Sequence, residues 1–401
     1  MKVIKDPVHG YVEVRDDILP LLDSPQVQRL RYVKQLGFSH MVYPGANHTR
    51  FEHSVGTMHL ASLVCLRMDL SEDETTLVTV AALLHDIGHG PYSHATEPLI
   101  EKYTGRGHQE IDNFLKDDEI AGILDNLNIT PNELCNVVYG EHYLSGIIHG
   151  DLDVDRMDYL LRDAHYTGVP YGTVDAQRLI QSIVMTESGI VLKETGINAA
   201  ESLLLARTLM RPAVYFHHVS RIAESMVKYA AMKHIEWAGQ GCAEALLSMD
   251  DSAFTREMLT SPCEESRMMM ERLYRRRLYK RALYVGEDLA NTGAMQRQVT
   301  LKKGREIAVE IGERAGIDPH LVLVDLPSFP SDMSMEVLVR NHHDLVSLEN
   351  LSPLMKTLND TRKRQWRMGV YTPHEFRSVV EEAAVEVLHI KRPTKQDKLN
   401  I

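Results

Sequence analysis

The stretch from Val80 to His94 reads Val-Ala-Ala-Leu-Leu-His-Asp-Ile-Gly-His-Gly-Pro-Tyr-Ser-His, and it limits the possible folds more than any other part of the chain. Leu77, Val80, Ala81 and Leu84 recur at helical spacing. This predicts a buried helix over 72–87, with His85 and Asp86 on its last turn and Gly88 and Gly90 ending it. Adjacent residues on a helix diverge by about 100°, yet at a helix end an imidazole and a carboxylate can both turn toward one ion inside a bundle. The dipeptide alone is a weak signal. His343-Asp344 repeats it after Arg340-Asn341 without an apolar helical approach, and that second pair reads as a loop.

With 401 residues the chain can bury a sizeable core, which predicts one large domain with an appended lobe. Cys65, Cys135, Cys242 and Cys263 show no CxxC spacing, and Cys65 lies in an apolar run, as expected of reduced thiols in the cytoplasm. The opening Met1-Lys2-Val3-Ile4-Lys5-Asp6 is charged at once, and no apolar run reaches the ~18 residues of a membrane helix, so a soluble chain is expected. A formal net charge of −12 argues against nucleic-acid binding through a whole-surface field. An anionic ligand would need cations gathered locally.

Residues 1–20 read as a hairpin start, with turn signals at Asp6-Pro7 and His9-Gly10. Ser24-Pro25 predicts a helix that Gly37 closes, and a second helix holds His53 and His59. Helical patterns follow over 72–87, 108–116, 131–139, 142–149, 154–165 and 199–237, then 262–279. Beyond residue 241 strand-like runs appear at 282–285, 321–326, 335–339 and 367–371, with helices over 304–315 and 373–388. The expected fold is mainly α: a helical bundle in residues 1–240 and a smaller C-terminal α+β lobe in 241–401. Lys391 to Ile401 reads as a frayed tail. The Arg275-Arg276-Arg277 run, near Lys280 and Arg281, reads as a solvated helix face or as a phosphate or nucleic-acid contact.

Two further segments supply what a metal needs. Arg50-Phe51-Glu52-His53-Ser54 places His53 near a helix start, and Asp151 to Tyr159 offers carboxylates near another. His53, His85, Asp86 and Asp155 would combine two imidazoles with two carboxylates, a set suited to Fe²⁺, Mn²⁺, Zn²⁺ or Mg²⁺ with positions left for water and phosphate. Taken singly, His53 could be a core histidine, Asp153 an N-cap and Asp158 half of a salt bridge with Arg162.

Together these segments resemble the HD-domain phosphohydrolases, and more closely the deoxynucleoside triphosphate triphosphohydrolases that include bacterial dGTPases and the vertebrate dNTPase with a sterile-alpha-motif domain. The resemblance covers residues 1 to about 230. It rests on Asp6-Pro7-Val8-His9-Gly10, on residues 28–37 and 44–54, on the central stretch, and on residues 153–163. It implies an HD-domain bundle, a divalent ion on His53, His85, Asp86 and Asp155, and attack at the α-phosphate that releases nucleoside and inorganic triphosphate. His108 matches the family's general acid, with His94 and Glu97 as its partners, and His89 matches a phosphate contact. Arg50 and Arg156, adjacent in sequence to ligands, are the expected phosphate cations; the family commonly has Lys where Arg156 stands. Gln35, Tyr159, Asp163 and Tyr215 match positions around the sugar.

The resemblance also implies a guanine nucleotide effector held by Asp23, Gln28, Arg31 and Lys2, and a homodimer or homotetramer. Lys5 replaces an asparagine of the vertebrate enzyme. Two other functions remain open at this point: an HD-superfamily phosphohydrolase acting on a different nucleotide, and a weakly catalytic regulator that binds nucleotide or nucleic acid.

Overall fold

The computed structural model describes residues 1–186, 189–290, 301–329, 337–341 and 344–391. The fold is mainly α, as the periodicities predict. It forms two compact units. One comprises Met1–His217, Gly241–Phe254 and Ser334–Leu358, and the other comprises His218–Gln240, Thr255–Met333 and Asn359–Ile401. A single cut after residue 240 is therefore not what the chain shows. Strand Leu338–Asn341 lies in parallel beside Gly189–Lys193, which ties a late segment into the first unit.

The first unit opens with an antiparallel hairpin, Lys2–Asp6 and Gly10–Val14. Its turn is held by the Asp6 carboxylate, which accepts the amides of Val8 and His9 at 2.8 Å each. The helix expected from Ser24 to Gly37 is shorter than its signals suggest: Pro25–Arg29 runs into a 3-10 turn, Leu30–Tyr32. Long-range pairing overrides propensity here. Gln35 donates its amide to the His48 carbonyl and Arg50 donates its amide to the Val33 carbonyl, which draws residues 33–35 out along the segment that leads into the next helix.

That helix, Arg50–Met68, starts at a Thr49/Glu52 capping box and buries His53 and Gly56 on its inner face. Glu72–Leu84 starts at a Ser71/Glu74 box, and every residue from Thr76 to Leu84 is buried. It ends earlier than the sequence suggests. His85 is its C-cap, so His85 and Asp86 lie just past the last turn. Val154–Thr167 begins at Asp153, whose side chain accepts the Arg156 amide, and packs against Arg50–Met68 at Gly56.

The long helix expected over 199–237 is broken. Ile197–Met210 passes into a π turn, Arg211–Tyr215, before His218–Ala238 begins. Pro212 has no amide to donate and cannot continue the ladder. The helices expected over 108–116 and 142–149 shrink to Asp112–Leu115 and a 3-10 turn, Ser145–Ile147. Strand Asp344–Ser347 pairs with Leu338–Asn341, so Asp344 is not in a loop, while His343 falls outside the described residues.

The second unit holds an antiparallel sheet in which Arg367–Thr372 lies between Lys280–Gly286 and Leu323–Asp325. The Leu301–Ala315 and Arg377–Val387 helices cover it, and Ile311, Val370, Val380 and Ala384 fill the core between. Its α+β character is the one expected of the C-terminal lobe. Helix Glu264–Tyr274 stops before Arg275, so the arginine run is not a helix face. All four cysteines are free thiols. Among the described residues no helix is long and apolar enough to cross a membrane.

Candidate active site

Three helical segments deliver the expected metal ligands to one point. His53 comes from the first turn of Arg50–Met68, His85 and Asp86 from the turn that ends Glu72–Leu84, and Asp155 from the first turn of Val154–Thr167. His53 Nε2 lies 3.0 Å from Asp155 Oδ1 and 3.6 Å from Asp86 Oδ2. His85 Nε2 lies 3.5 Å from Asp86 Oδ1 and 3.7 Å from Asp155 Oδ1. Neither Nε2 atom has a hydrogen-bond partner, although both are buried. Donor atoms bonded at about 2.0–2.2 Å to one ion stand about 3 Å apart. Two orphaned imidazole nitrogens at that spacing from two carboxylates therefore fit a divalent cation.

Each ligand imidazole is fixed from behind. His85 directs Nδ1 to the Ala82 carbonyl at 2.8 Å, and His53 directs Nδ1 to Asp158 Oδ2 at 2.7 Å. Asp158 is fully buried and also meets Arg162 through Nε and Nη2 and His9 through Nε2, and Arg162 Nη1 continues to Asp6 at 2.8 Å. Burial alone would raise the Asp158 carboxyl, but Arg162, His53 and His9 hold it well below its usual range. Gly56 makes room for this pair, since a Cβ there would collide with both the Asp158 carboxylate and the Arg162 guanidinium. Burial opposes protonation of His53, yet Asp155, Asp158 and Asp86 together push it up to about 10. Such a concentration of negative potential is what a cation would neutralise.

A second group of side chains adjoins the first. His94 directs Nδ1 to Glu97 Oε2 at 2.7 Å, and His108 directs Nδ1 to Glu97 Oε1, so two imidazoles share one carboxylate. Burial would raise Glu97, but the hydrogen bonds from His108 and His94 carry it far below the normal carboxylate range. His89 links the groups: its Nε2 is 3.3 Å from Asp86 Oδ1, and its ring stacks on His108 with centroids 4.1 Å apart. Gly88 permits this close approach, because a Cβ there would strike the His108 carbonyl.

The residues expected around a sugar also meet. Tyr215 donates to Asp163 Oδ2 and His48 Nε2 contacts Asp163 Oδ1, both at 2.8 Å. The Tyr159 and Tyr215 rings lie edge to face with centroids 6.2 Å apart. Gln35 Oε1 and His48 Nδ1 are buried without hydrogen-bond partners, so unmet polar atoms remain here as well.

A family model described as the HD domain matches residues 50–163, and one described as the HD associated region matches residues 174–399. The chain belongs to the HD-domain family of metal-dependent phosphohydrolases. It is 36% identical over 388 residues to an uncharacterized protein of Methanocaldococcus jannaschii, covering 94% of this chain and 80% of that one. It is 29% identical over 348 residues to a deoxynucleoside triphosphate triphosphohydrolase of Homo sapiens, covering 72% of this chain and 55% of that one. The chain thus spans about half the length of the human and Dictyostelium discoideum triphosphohydrolases it matches. Among solved structures, a hypothetical protein from Aquifex aeolicus matches with a TM-score of 0.77 at 30% identity, covering 95% of this chain and 99% of that one. A phosphohydrolase from Bacteroides thetaiotaomicron matches with 0.72 at 25% identity, covering 92% and 98%.

In this HD domain the two expected phosphate cations are already engaged. Arg50 is buried and donates to Asp86 Oδ2 at 2.6 Å and to Ser93 Oγ at 2.9 Å, so it also braces an expected metal ligand. Arg156 pairs with the N-cap Asp153 at 2.9 Å. Arg207 escaped the sequence reading, which singled out only Tyr215 on helix 199–237. Its guanidinium acts on the Tyr159 phenol, which burial pushes up to about 12 against that pull. His48 and Asp158 also escaped notice as site residues, because each serves a ligand or pocket residue far away in sequence. The four effector candidates form two pairs: Lys2 Nζ is 4.0 Å from Asp23, and Arg31 donates to Gln28 at 2.7 Å while Gln28 donates to the Leu22 carbonyl.

Proposed function

We propose that this HD-domain protein hydrolyses deoxynucleoside triphosphates to deoxynucleoside and inorganic triphosphate. The observation that carries the reading is the bridge made by His89, which touches the metal-ligand Asp86 and stacks on His108. A phosphate seated at the metal ligands then has a proton donor beside it for the departing 5′-oxygen. The names borne by the human and Dictyostelium discoideum relatives support the same reading.

When bound, a divalent ion at His53, His85, Asp86 and Asp155 would supply Lewis-acid polarisation of a phosphate oxygen and a water of lowered pKa. The chain's own residues do the rest. Glu97 stays ionised and holds His108 through Nδ1, so the opposite ring nitrogen can deliver a proton to the leaving oxygen. His94 shares that carboxylate and can replenish the proton. Arg50 and Arg207 supply positive charge, Tyr159 crowds C2′, and Asp163 with Gln35 faces the rest of the sugar. A guanine nucleotide at Lys2, Asp23, Gln28 and Arg31, acting on a homodimer or homotetramer, belongs to the same proposal.

The test is to incubate protein loaded with Mn²⁺, Fe²⁺, Zn²⁺ or Mg²⁺ with each dNTP and NTP and to separate the products by chromatography. Inorganic triphosphate and deoxynucleoside are expected. Release of phosphate or pyrophosphate would move the protein to another substrate of the same superfamily.

A further inference from the structure

We propose that His89, His94, Glu97 and His108 form a second divalent-cation site of the zinc class, distinct from the ligand set at His53, His85, Asp86 and Asp155. Each of the four offers one ligand atom, and these atoms lie within 4.8 Å of one another. Three imidazoles and one carboxylate make a donor set that suits Zn²⁺ in four-coordination.

Two observations go beyond proximity. The first is that the two ring nitrogens nearest the carboxylate, on His94 and His108, already face different oxygens of Glu97, one on each side. That arrangement holds either two shared protons or one ion between the rings. The second is that His89 is 1% exposed while its Nδ1 has no hydrogen-bond partner. A buried imidazole nitrogen without a partner loses its hydration and receives nothing in return, unless a cation or water meets it. The site is also reachable, since the His94 side chain is 67% exposed whereas the His53 side chain is 1% exposed. An ion can therefore exchange here without opening the core.

The consequence rests on the proton-donor role proposed for His108. A ring nitrogen that holds a metal cannot also hold a proton, so an ion at this site removes the imidazolium form from His108 and His94. Zinc would fill the inner site and support turnover at low concentration, then fill the outer site and suppress it.

The experiment reads stoichiometry, so it stands apart from whether dNTPs are the substrate. Metal-stripped wild type, His94→Ala, His85→Ala and the double variant are equilibrated with excess zinc, desalted and measured by elemental analysis, with circular dichroism to confirm folding. The expected contents are two zinc ions per chain for wild type, one for each single variant and none for the double variant. His94 is exposed, so its removal opens no core cavity. A wild type that holds one ion, or a His94→Ala protein that still holds two, would overturn the second site.

Discussion

The two histidine–carboxylate groups of this active site are built from the same residue types and behave as opposites. Around His53 and His85 every ring has its rear nitrogen fixed, one by Asp158 and the other by the Ala82 carbonyl, and Asp158 is in turn held by Arg162 and His9. Around Glu97 the backing is thin: one carboxylate serves two rings, and His94 stands mostly in solvent. The difference fits the two tasks proposed for these groups. Metal ligands must keep their geometry while the reaction proceeds, and outer hydrogen bonds set both ring orientation and affinity. Proton donors must meet a moving substrate and exchange protons with water. The number of fixed partners behind an imidazole, rather than the imidazole itself, separates the two groups.

The strongest way to break the comparison is to remove a ligand from the fixed group. His85→Ala or Asp86→Ala is expected to lose both the inner ion and hydrolysis. Unchanged metal content by elemental analysis would take these residues out of the metal set. The next strongest is to remove the backing and leave the ligands. Arg162→Met leaves Asp158 buried beside His53 without its guanidinium, and breaking a buried pair in this way costs about 3–5 kcal/mol. Thermal denaturation should show that loss, with a weakened hold on metal. Gly56→Ala should act in the same direction through overpacking, by about 1–3 kcal/mol. A melting temperature equal to wild type in both variants would mean that the network behind His53 is not structural.

The legibility of these groups in the sequence follows the same division. His53, His85, Asp86 and Asp155 sit next to helix starts and ends, whose signals are local: the Thr49/Glu52 box, the apolar run into Leu84 and the Asp153 cap. Their nitrogen and oxygen atoms approach one another to between 3.0 and 3.7 Å. Asp158 illustrates what local reasoning misses. As an i, i+4 partner of Arg162 it reads as a salt bridge, which it is, but its contact with His53 crosses 105 residues. The break at Arg211–Tyr215 falls at Pro212, which an unbroken helical reading of 199–237 overlooks. Strands Ile183–Thr186 and Gly189–Lys193 gave no clear alternation, because their neighbour Leu338–Asn341 arrives from far along the chain. The Glu97 group was named only through resemblance, since no periodicity joins residue 108 to residues 89–97.

A sharper, smaller effect separates the two groups chemically. His108→Ala should lower turnover by roughly 10²-fold while the ion at His53, His85, Asp86 and Asp155 stays bound, the usual loss when a general acid is removed. The contrast with His85→Ala is the point: one variant loses the inner ion and the other keeps it. Turnover near wild type in His108→Ala would return His108 to a packing role against His89.

The smallest expected effect concerns specificity and tests whether the sugar pocket belongs with the fixed group or the open one. Tyr159 lies one helical turn after Asp155, so both side chains can face the same cavity, and its ring stands edge to face with Tyr215. A ring held against C2′ leaves no room for a hydroxyl, so Tyr159→Ala should narrow the dNTP-to-NTP preference by about tenfold, mostly by admitting ribonucleotides. Asp163 is already bonded to His48 and Tyr215, and its complete removal would leave two buried polar groups unpaired. Asp163→Asn is therefore the better probe. It keeps the shape and one acceptor, and it should weaken substrates that carry a 3′-hydroxyl while hardly changing a 2′,3′-dideoxynucleotide. If the wild-type protein hydrolyses GTP and dGTP equally well, the ring at Tyr159 does not gate the sugar, and a phosphohydrolase of different substrate becomes the better account of this HD domain.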